Sequence, residues 1–338
     1  DPERTDYGFT GWYLSDGSEF NADTVTKDMA LTARWGAQPV AFTVEHYYMD
    51  TDGNMPGSAS ESNQSKAEVD SAVAFRKLVK NGLSEALTCV KATVSGAYGV
   101  ENDTEITDLD ETVQVAKGMT VKLYYDRAQY TLTWEFDGGT ADNDYTGSDG
   151  AYEIYYDTAL VLPTLTKRGH TFLGWYDNEA FNESGKLAAG AKMPAAAQTY
   201  YAKWTPSVYR ITYGNVANGA FAAARPETHT YGTATAIPDL TRTGYDFDGW
   251  TVNGTGEAQK GLTLDASDYT ANITLTAQWT AKQFAITYTG MDGAQFGEAH
   301  PDRYAYDTDT VISNPTRAGY TFLGWIVNGA GTARKDLT

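Results

Sequence analysis

The chain has 338 residues, 41% of them hydrophobic and 13% aromatic, which is long and apolar enough for several folded domains. Its 44 acidic residues against 25 basic ones give a net charge of -19, the opposite of the Lys/Arg-rich surface that nucleic acid rewards. The single Cys89 leaves no internal disulfide framework and reads as a buried, inert thiol, and no run of 18 apolar residues is present to cross a membrane as a helix.

The chain opens on "YGFTGW" at 7–12 and "LTARW" ending at Trp35, both patterned as strands. "FTVEHYY" at 42–48 alternates as a strand with one buried face. In the polar stretch that follows, Asp50, Asp52, Asn54 and Glu61 have calcium-loop spacing. Position six is Met55 rather than Gly, Pro56 follows it, and a strand precedes, so "DTDGN" reads as an Asp-Gly turn. The tyrosines of "YYMD" and "LYYDR" could stack on sugars, but strand tyrosines are more often half-buried.

The next segment predicts a helix near 65–80. Ser65 and Glu68 form a capping box, Val69, Ala72, Val73, Phe75 and Val79 share one helical face, and Asn81-Gly82 supplies a stop. "LTCVKATV" at 87–94 predicts a strand, and 112–126 a hairpin turning at Lys117-Gly118.

From residue 128 the chain repeats itself. A G-aromatic-x-F-x-G-W box ends at Trp175, Trp250 and Trp325, each 75 residues after the last, and the copy at 7–12 ends at Trp12. Each full unit opens with an alternating strand, "YTLTW", "YRITY" or "FAITY". Between strand and box stands a Tyr-(Asp/Gly) step, at Tyr156-Asp157, Tyr231-Gly232 and Tyr306-Asp307. Downstream of the box an A-x-W strand ends at Trp204 and Trp279. Small modules gain most from large aromatics, so Trp12, Trp35, Trp175, Trp204, Trp250, Trp279 and Trp325 are expected to form the structural cores. Trp134 stands in an opening strand. Gly324, just before Trp325, is expected at a bulge or a close backbone approach.

No catalytic constellation accompanies these landmarks. His46, His170, His229 and His300 show neither metal-ligand spacing nor a cluster with Cys, and no G-x-S-x-G or P-loop is present. No cofactor or metal is therefore expected. His170 takes the aromatic position of the box and reads as a half-buried substitute for Tyr.

"GHTFLGWYD…YYAKW", "GYDFDGW…LTAQW" and "GYTFLGW" resemble the Listeria–Bacteroides repeat, also called the internalin B-repeat, over roughly 1–36 and 128–338. The resemblance implies a β-grasp-like, ubiquitin-related module without catalytic residues. It also implies tandem use in large bacterial cell-surface proteins as stalk or accessory units. "FTVEHYY" and "VKLYYDR" are similar to the mucin-binding-protein type of module. The expected fold is thus mainly β with one α+β module, as small β-grasp-like modules set end to end. The expected boundaries are 1–36, the C-terminal part of a B-repeat; 37–127, the mucin-binding-protein-like module; and 128–205, 206–280 and 281–338, B-repeats. By alignment the last unit lacks its closing strand, so the chain reads as a window from a longer protein.

Three functions fit these readings. The first is a non-catalytic extracellular spacer of an adhesin-like protein at the cell surface or wall. The second is a module binding host glycan, mucin or a wall component. The third is an accessory segment of a secreted hydrolase or peptidase. No nucleic-acid partner and no membrane insertion within the segment are expected, and the chain is expected to be monomeric.

Overall fold

The computed structural model describes residues 1–21, 25–142 and 150–338. It is a mainly β chain of tandem small modules, grouped in two compact units: Asp1–Leu165 with Gly174–Lys203, and Thr166–Leu173 with Trp204–Thr338.

In the first unit, strand Tyr7–Tyr13 pairs antiparallel with Thr32–Ala37, with a register shift between Phe9 and Gly11. Residues 39–127 then build a five-stranded sheet ordered Glu61–Glu68, Pro39–Tyr48, Thr120–Arg127, Leu87–Ser95, Thr104–Ile106. Numbered along the chain, those strands lie in the order 2-1-5-3-4. The central pair is parallel and the outer pairs are antiparallel. Val40, Phe42, Val44, Val94, Val121, Leu123 and Tyr125 point into one core, as period-2 alternation dictates.

The helix expected near 65–80 does not form. Glu61–Glu68 extends as an edge strand along Pro39–Tyr48, with Ser65 opposite Phe42. Asp70 at φ 61 then breaks the chain, Ala72–Ala74 pairs with Thr112–Gln114, and only Phe75–Leu78 forms a turn of 3-10 helix. Val69 and Phe75 are still buried, at 2% and 1% exposure. Eight paired residues of sheet outweigh a weak local helix preference, and the bend delivers both side chains to the core instead. The hairpin expected over 112–126 also separates: Thr112–Gln114 joins Ala72–Ala74, whereas Thr120–Arg127 enters the main sheet. The turn at Gly118 (φ 74) survives, but it changes layers rather than folding one strand back on the other.

The next sheet is ordered Gly150–Tyr155, Gln129–Glu135, Gln198–Pro206, His170–Tyr176, with Gln129–Glu135 and Gln198–Pro206 parallel. Trp134 lies at its centre. It is fully buried, 4.5 Å from the Trp175 ring and 5.2 Å from Tyr200.

In the second unit the 206–280 module repeats the 2-1-5-3-4 order of residues 39–127: Thr228–Thr230, Val208–Gly214, Ile273–Ala281, Tyr245–Val252, Thr255–Gln259. Ile211, Ile237, Leu240, Phe247, Trp250, Leu264, Ile273, Leu275 and Ala277 are its core. Gly249 sits at φ 129 in a bulge, and a Cβ there would stand 2.4 Å from the Gln259 backbone, so the box glycine lets the outer strand close over the Trp. Gly324 repeats this at φ 136, 2.6 Å from the Arg334 backbone. Residues 283–338 form two short pairs, Gln283–Ala285 with Arg303–Ala305 and Trp325–Val327 with Ala330–Arg334.

The tryptophans divide by position. Trp175 and Trp250 are 2% and 0% exposed, and each indole N–H donates to a carbonyl twelve residues upstream, Pro163 O at 2.8 Å and Pro238 O at 3.2 Å. Trp35, Trp204, Trp279 and Trp325 are half-buried, and Trp279 packs on the margin of the 206–280 core against Phe247. Trp12 is 38% exposed and is not a core residue. In its place Phe9 lies between Trp12 and Trp35, at 5.5 and 5.6 Å.

Candidate functional site

The 50–54 loop is built around the Asp50 carboxylate. Its Oδ1 accepts the backbone N–H groups of Asp52 at 2.9 Å and Asn54 at 2.8 Å, and Asp50 N–H donates to Asn54 O. Those bonds, the one from Asn54 foremost, hold its pKa below the usual carboxylate value. Glu61 is occupied elsewhere. It lies on the edge strand, ion-paired to Lys80 and accepting from Asn63 Nδ2 at 3.3 Å and Tyr48 OH at 3.4 Å. The structure thus keeps Asp50, Asp52 and Asn54 as a turn and gives Glu61 to a separate cluster. Among the described residues no group of three or more His, Cys, Asp or Glu is arranged to hold a metal ion.

That cluster joins Glu61 and Lys80 to Tyr48, His46 and Tyr125. His46, 3% exposed, shares a 2.8 Å hydrogen bond between Nδ1 and Tyr125 OH, and Tyr125 OH also accepts the Lys80 backbone N–H at 3.0 Å. Burial lowers the His46 pKa, raises that of Tyr125 and pushes Tyr48 up to about 12. These rings are held neutral and bonded inward, a structural rather than a reactive arrangement. On the other side of the same strands, Tyr47 and Tyr124 stack at 4.9 Å. Tyr47 OH is held by Glu45 at 2.9 Å, and the Lys91 ammonium lies 5.4 Å from the Tyr124 ring. Cys89 is half-buried, its pKa pushed up to about 11 by burial.

The remaining histidines are dispersed. His229 is fully buried, with Nδ1 2.8 Å from Thr235 Oγ1 and Nε2 meeting no acceptor, and burial lowers its pKa. His300 bonds Gly297 O at 2.9 Å and stacks on Phe296. His170 is half-buried at a junction between repeats.

Those junctions are the recurrent surface that sequence reasoning missed. At each, one linking residue makes two main-chain bonds. Gln38 N–H donates to Asp6 O at 3.1 Å, and Gln38 O accepts from Val69 N–H at 3.0 Å. Ser207 does the same with Gly169 O and Tyr231 N–H, at 2.9 and 3.0 Å, and Lys282 with Gly244 O and Tyr306 N–H, both at 2.9 Å. Ala128 repeats the scheme with Ala86 O and Tyr156 N–H, while Arg127 adds bonds to Met49 O and Tyr156 O at 2.9 Å. The available signal was the constant spacing from box glycine to the following step.

A groove in residues 284–338 is lined by Ile286, Tyr288, Ile312, Trp325 and Leu337. These lie 75 residues after Ile211, Tyr213, Ile237, Trp250 and Leu262, of which Tyr213 packs on the 206–280 core and the rest belong to it. The positions that form the core in 206–280 thus line an open groove here, with Asp309, Asn328 and Arg334 also on its wall.

The profile of the Listeria-Bacteroides repeat domain matches residues 1–34, 130–203, 209–278 and 284–338, and the chain belongs to that family. It is similar to a putative membrane protein of Evansella cellulosilytica, 28% identical over 68% of this chain and 33% of that protein. A putative Gly-rich membrane protein of the same organism is 23% identical over 94% of the chain and 34% of its own length. Internalin H of Listeria monocytogenes is 30% identical over 42% of the chain and 29% of that protein. The chain spans about a third of the length of these relatives.

Proposed function

We propose that this segment is a non-catalytic spacer in a bacterial surface protein, exposed outside the cell and monomeric. The observation that carries the reading is the 2-1-5-3-4 sheet recurring in 39–127 and 206–280, with chemically capable side chains turned inward. His46, Tyr125, His229 and Cys89 are each buried or half-buried and spent on internal packing or hydrogen bonds. A spacer needs modules, reach and no site. The names of the relatives, two putative membrane proteins and an internalin, support a surface setting.

The competing reading is a glycan-, mucin- or wall-binding role for residues 37–127, favoured by the Tyr47–Tyr124 stack with Lys91 beside it. Tyr47 is itself buried, at 9% exposure, so the half-buried Tyr124 is the ring of the pair that a sugar could reach. An accessory role beside a secreted hydrolase predicts catalytic groups in flanking sequence. One pair of measurements on this chain decides. Each module has a radius of gyration of about 11 Å, so a spacer is expected to scatter with a maximum dimension beyond about 100 Å and to bind neither mucin glycans nor peptidoglycan. A maximum near 65 Å, or saturable binding lost in Tyr124→Ala, would overturn the spacer reading.

A further inference from the structure

At the three junctions that follow a box turn the side chains differ, and the differences are paired; at the fourth, where no box precedes and Leu87 takes the aromatic position, the step's Asp157 bonds Lys192 at 2.9 Å instead. Tyr7, His170, Tyr245 and Tyr320 occupy one position of the box turn. The step that reaches that turn from the following module is Val69-Asp70, Tyr231-Gly232 or Tyr306-Asp307 in the first three cases. The second residue of each step is left-handed, at φ 61, 84 and 59. Where the box carries Tyr, the step carries Asp and the two bond: Tyr7 OH to Asp70 Oδ2, and Tyr245 OH to Asp307 Oδ2 at 3.3 Å. Where the box carries His170, which has no hydroxyl, the step carries Gly232. Arg accompanies the tyrosines, with Arg4 3.9 Å over Tyr7 and Arg242 4.0 Å over Tyr245, and Lys167 stands in the same place before His170.

A second pairing concerns bulk. A Cβ on Gly169 would lie 2.3 Å from the Tyr231 ring, and one on Gly244 would lie 2.3 Å from the Tyr306 ring. Both tyrosines also meet the box aromatic edge-on, at 5.5 Å for His170 and 5.6 Å for Tyr245. In the first junction the arriving residue is the smaller Val69. There the glycine position holds Asp6, at φ 67, a side chain that a tyrosine would displace.

We propose that the box turn is an interaction surface matched to the step of the module that follows it. A box Tyr takes a step carrying Asp, a box aromatic without a hydroxyl takes a step carrying Gly, and a box Gly admits a step Tyr. The matching fixes which module can follow which. By this rule the Gly319-Tyr320 turn, where Arg317 lies 4.1 Å over the Tyr320 ring, is fitted to the Tyr-Asp step of another repeat of this family. The left-handed step residue tolerates Asp and Gly alike, so either identity satisfies the backbone and only the hydroxyl distinguishes them.

The test is amide exchange of the whole chain, read at the two junction amides, Lys282 and Tyr306, and independently at Ser207 and Tyr231. Tyr245→Phe and Asp307→Gly should each lower protection at Lys282 and Tyr306 by roughly three- to tenfold, the ordinary net worth of one solvent-exposed hydrogen bond. The double variant should fall no further than either single one. His170→Tyr with Gly232→Asp should raise protection at Ser207 and Tyr231, and Gly232→Asp alone should not. Multiplying effects of Tyr245→Phe and Asp307→Gly, or no gain from the installed pair over its single variants, would overturn the matching rule. This readout is local to each junction, so it stands or falls independently of the spacer role.

Discussion

Replacing Trp250 with Ala should destabilise the 206–280 module selectively. The indole is fully buried and contacts Tyr213, Phe221 and Phe247 at centroid distances of 5.5, 6.0 and 5.5 Å. Truncating a buried aromatic costs about 3–5 kcal/mol, and the Pro238 carbonyl loses its 3.2 Å donor, for about 1 kcal/mol more. A module of this length holds only about 4–11 kcal/mol in total, so the substitution removes roughly half of it. A chain of several modules does not unfold in two states, so the measurement must be local. Amide exchange at Leu275 and Ala277, which face Val252 and Trp250 across the sheet, should accelerate at least about a hundredfold, at tenfold per 1.4 kcal/mol. Trp12→Ala, at a 38% exposed position, should cost under about 1 kcal/mol at Tyr7–Tyr13. Equal effects of the two substitutions, each confined to its own module, would refute the division of the tryptophans into core and margin.

Three further outcomes follow from the site geometry. Burial lowers the His229 pKa below its ordinary 6.5, so the folded module prefers the neutral ring. Its stability is complete above 6.5 and declines as pH falls through the depressed value, which exchange in 206–280 at pH 7 and pH 5 would show, and His229→Phe should flatten. Chelation should leave the melting temperature unchanged, because the Asp50 carboxylate is already spent on the Asp52 and Asn54 amides; an EDTA downshift restored by calcium would sink this assignment. Cys89, with its pKa near 11, should react with a maleimide at pH 7.5 far more slowly than a free thiol, and a rate matching glutathione would contradict its burial.

Much of the β architecture was legible in alternation and in the 75-residue period. Ile211 and Tyr213 turn inward and Arg210 outward, as period 2 requires, and the box glycines announce their bulges. The segment at 65–80 was not legible. Its apolar spacing fits a helix locally, and only the partner strand at Pro39–Tyr48, more than twenty residues away, turns it into an edge. Trp134 escaped because a tryptophan in an alternating strand carries no sign of which face closes over it. The junction pairs were invisible for a related reason: Tyr245 and Asp307 belong to different modules, and nothing within either module requires the other.

The parallel central pair has a mechanical consequence. In a module whose entering and leaving strands run side by side in the same direction, the two chain ends emerge at opposite poles. Tension along the chain therefore drags one strand lengthwise past the other, and the rungs between them bear the load together. An antiparallel pair pulled from one pole would part like a zipper, rung by rung. Ile211–Gly214 against Ile273–Thr276 offers four residue pairs to this shear, and Thr43–Tyr48 against Thr120–Tyr125 offers six. Residues 39–127, which stand outside the family's repeat pattern, are thus the stretch of this chain best built to hold under pull.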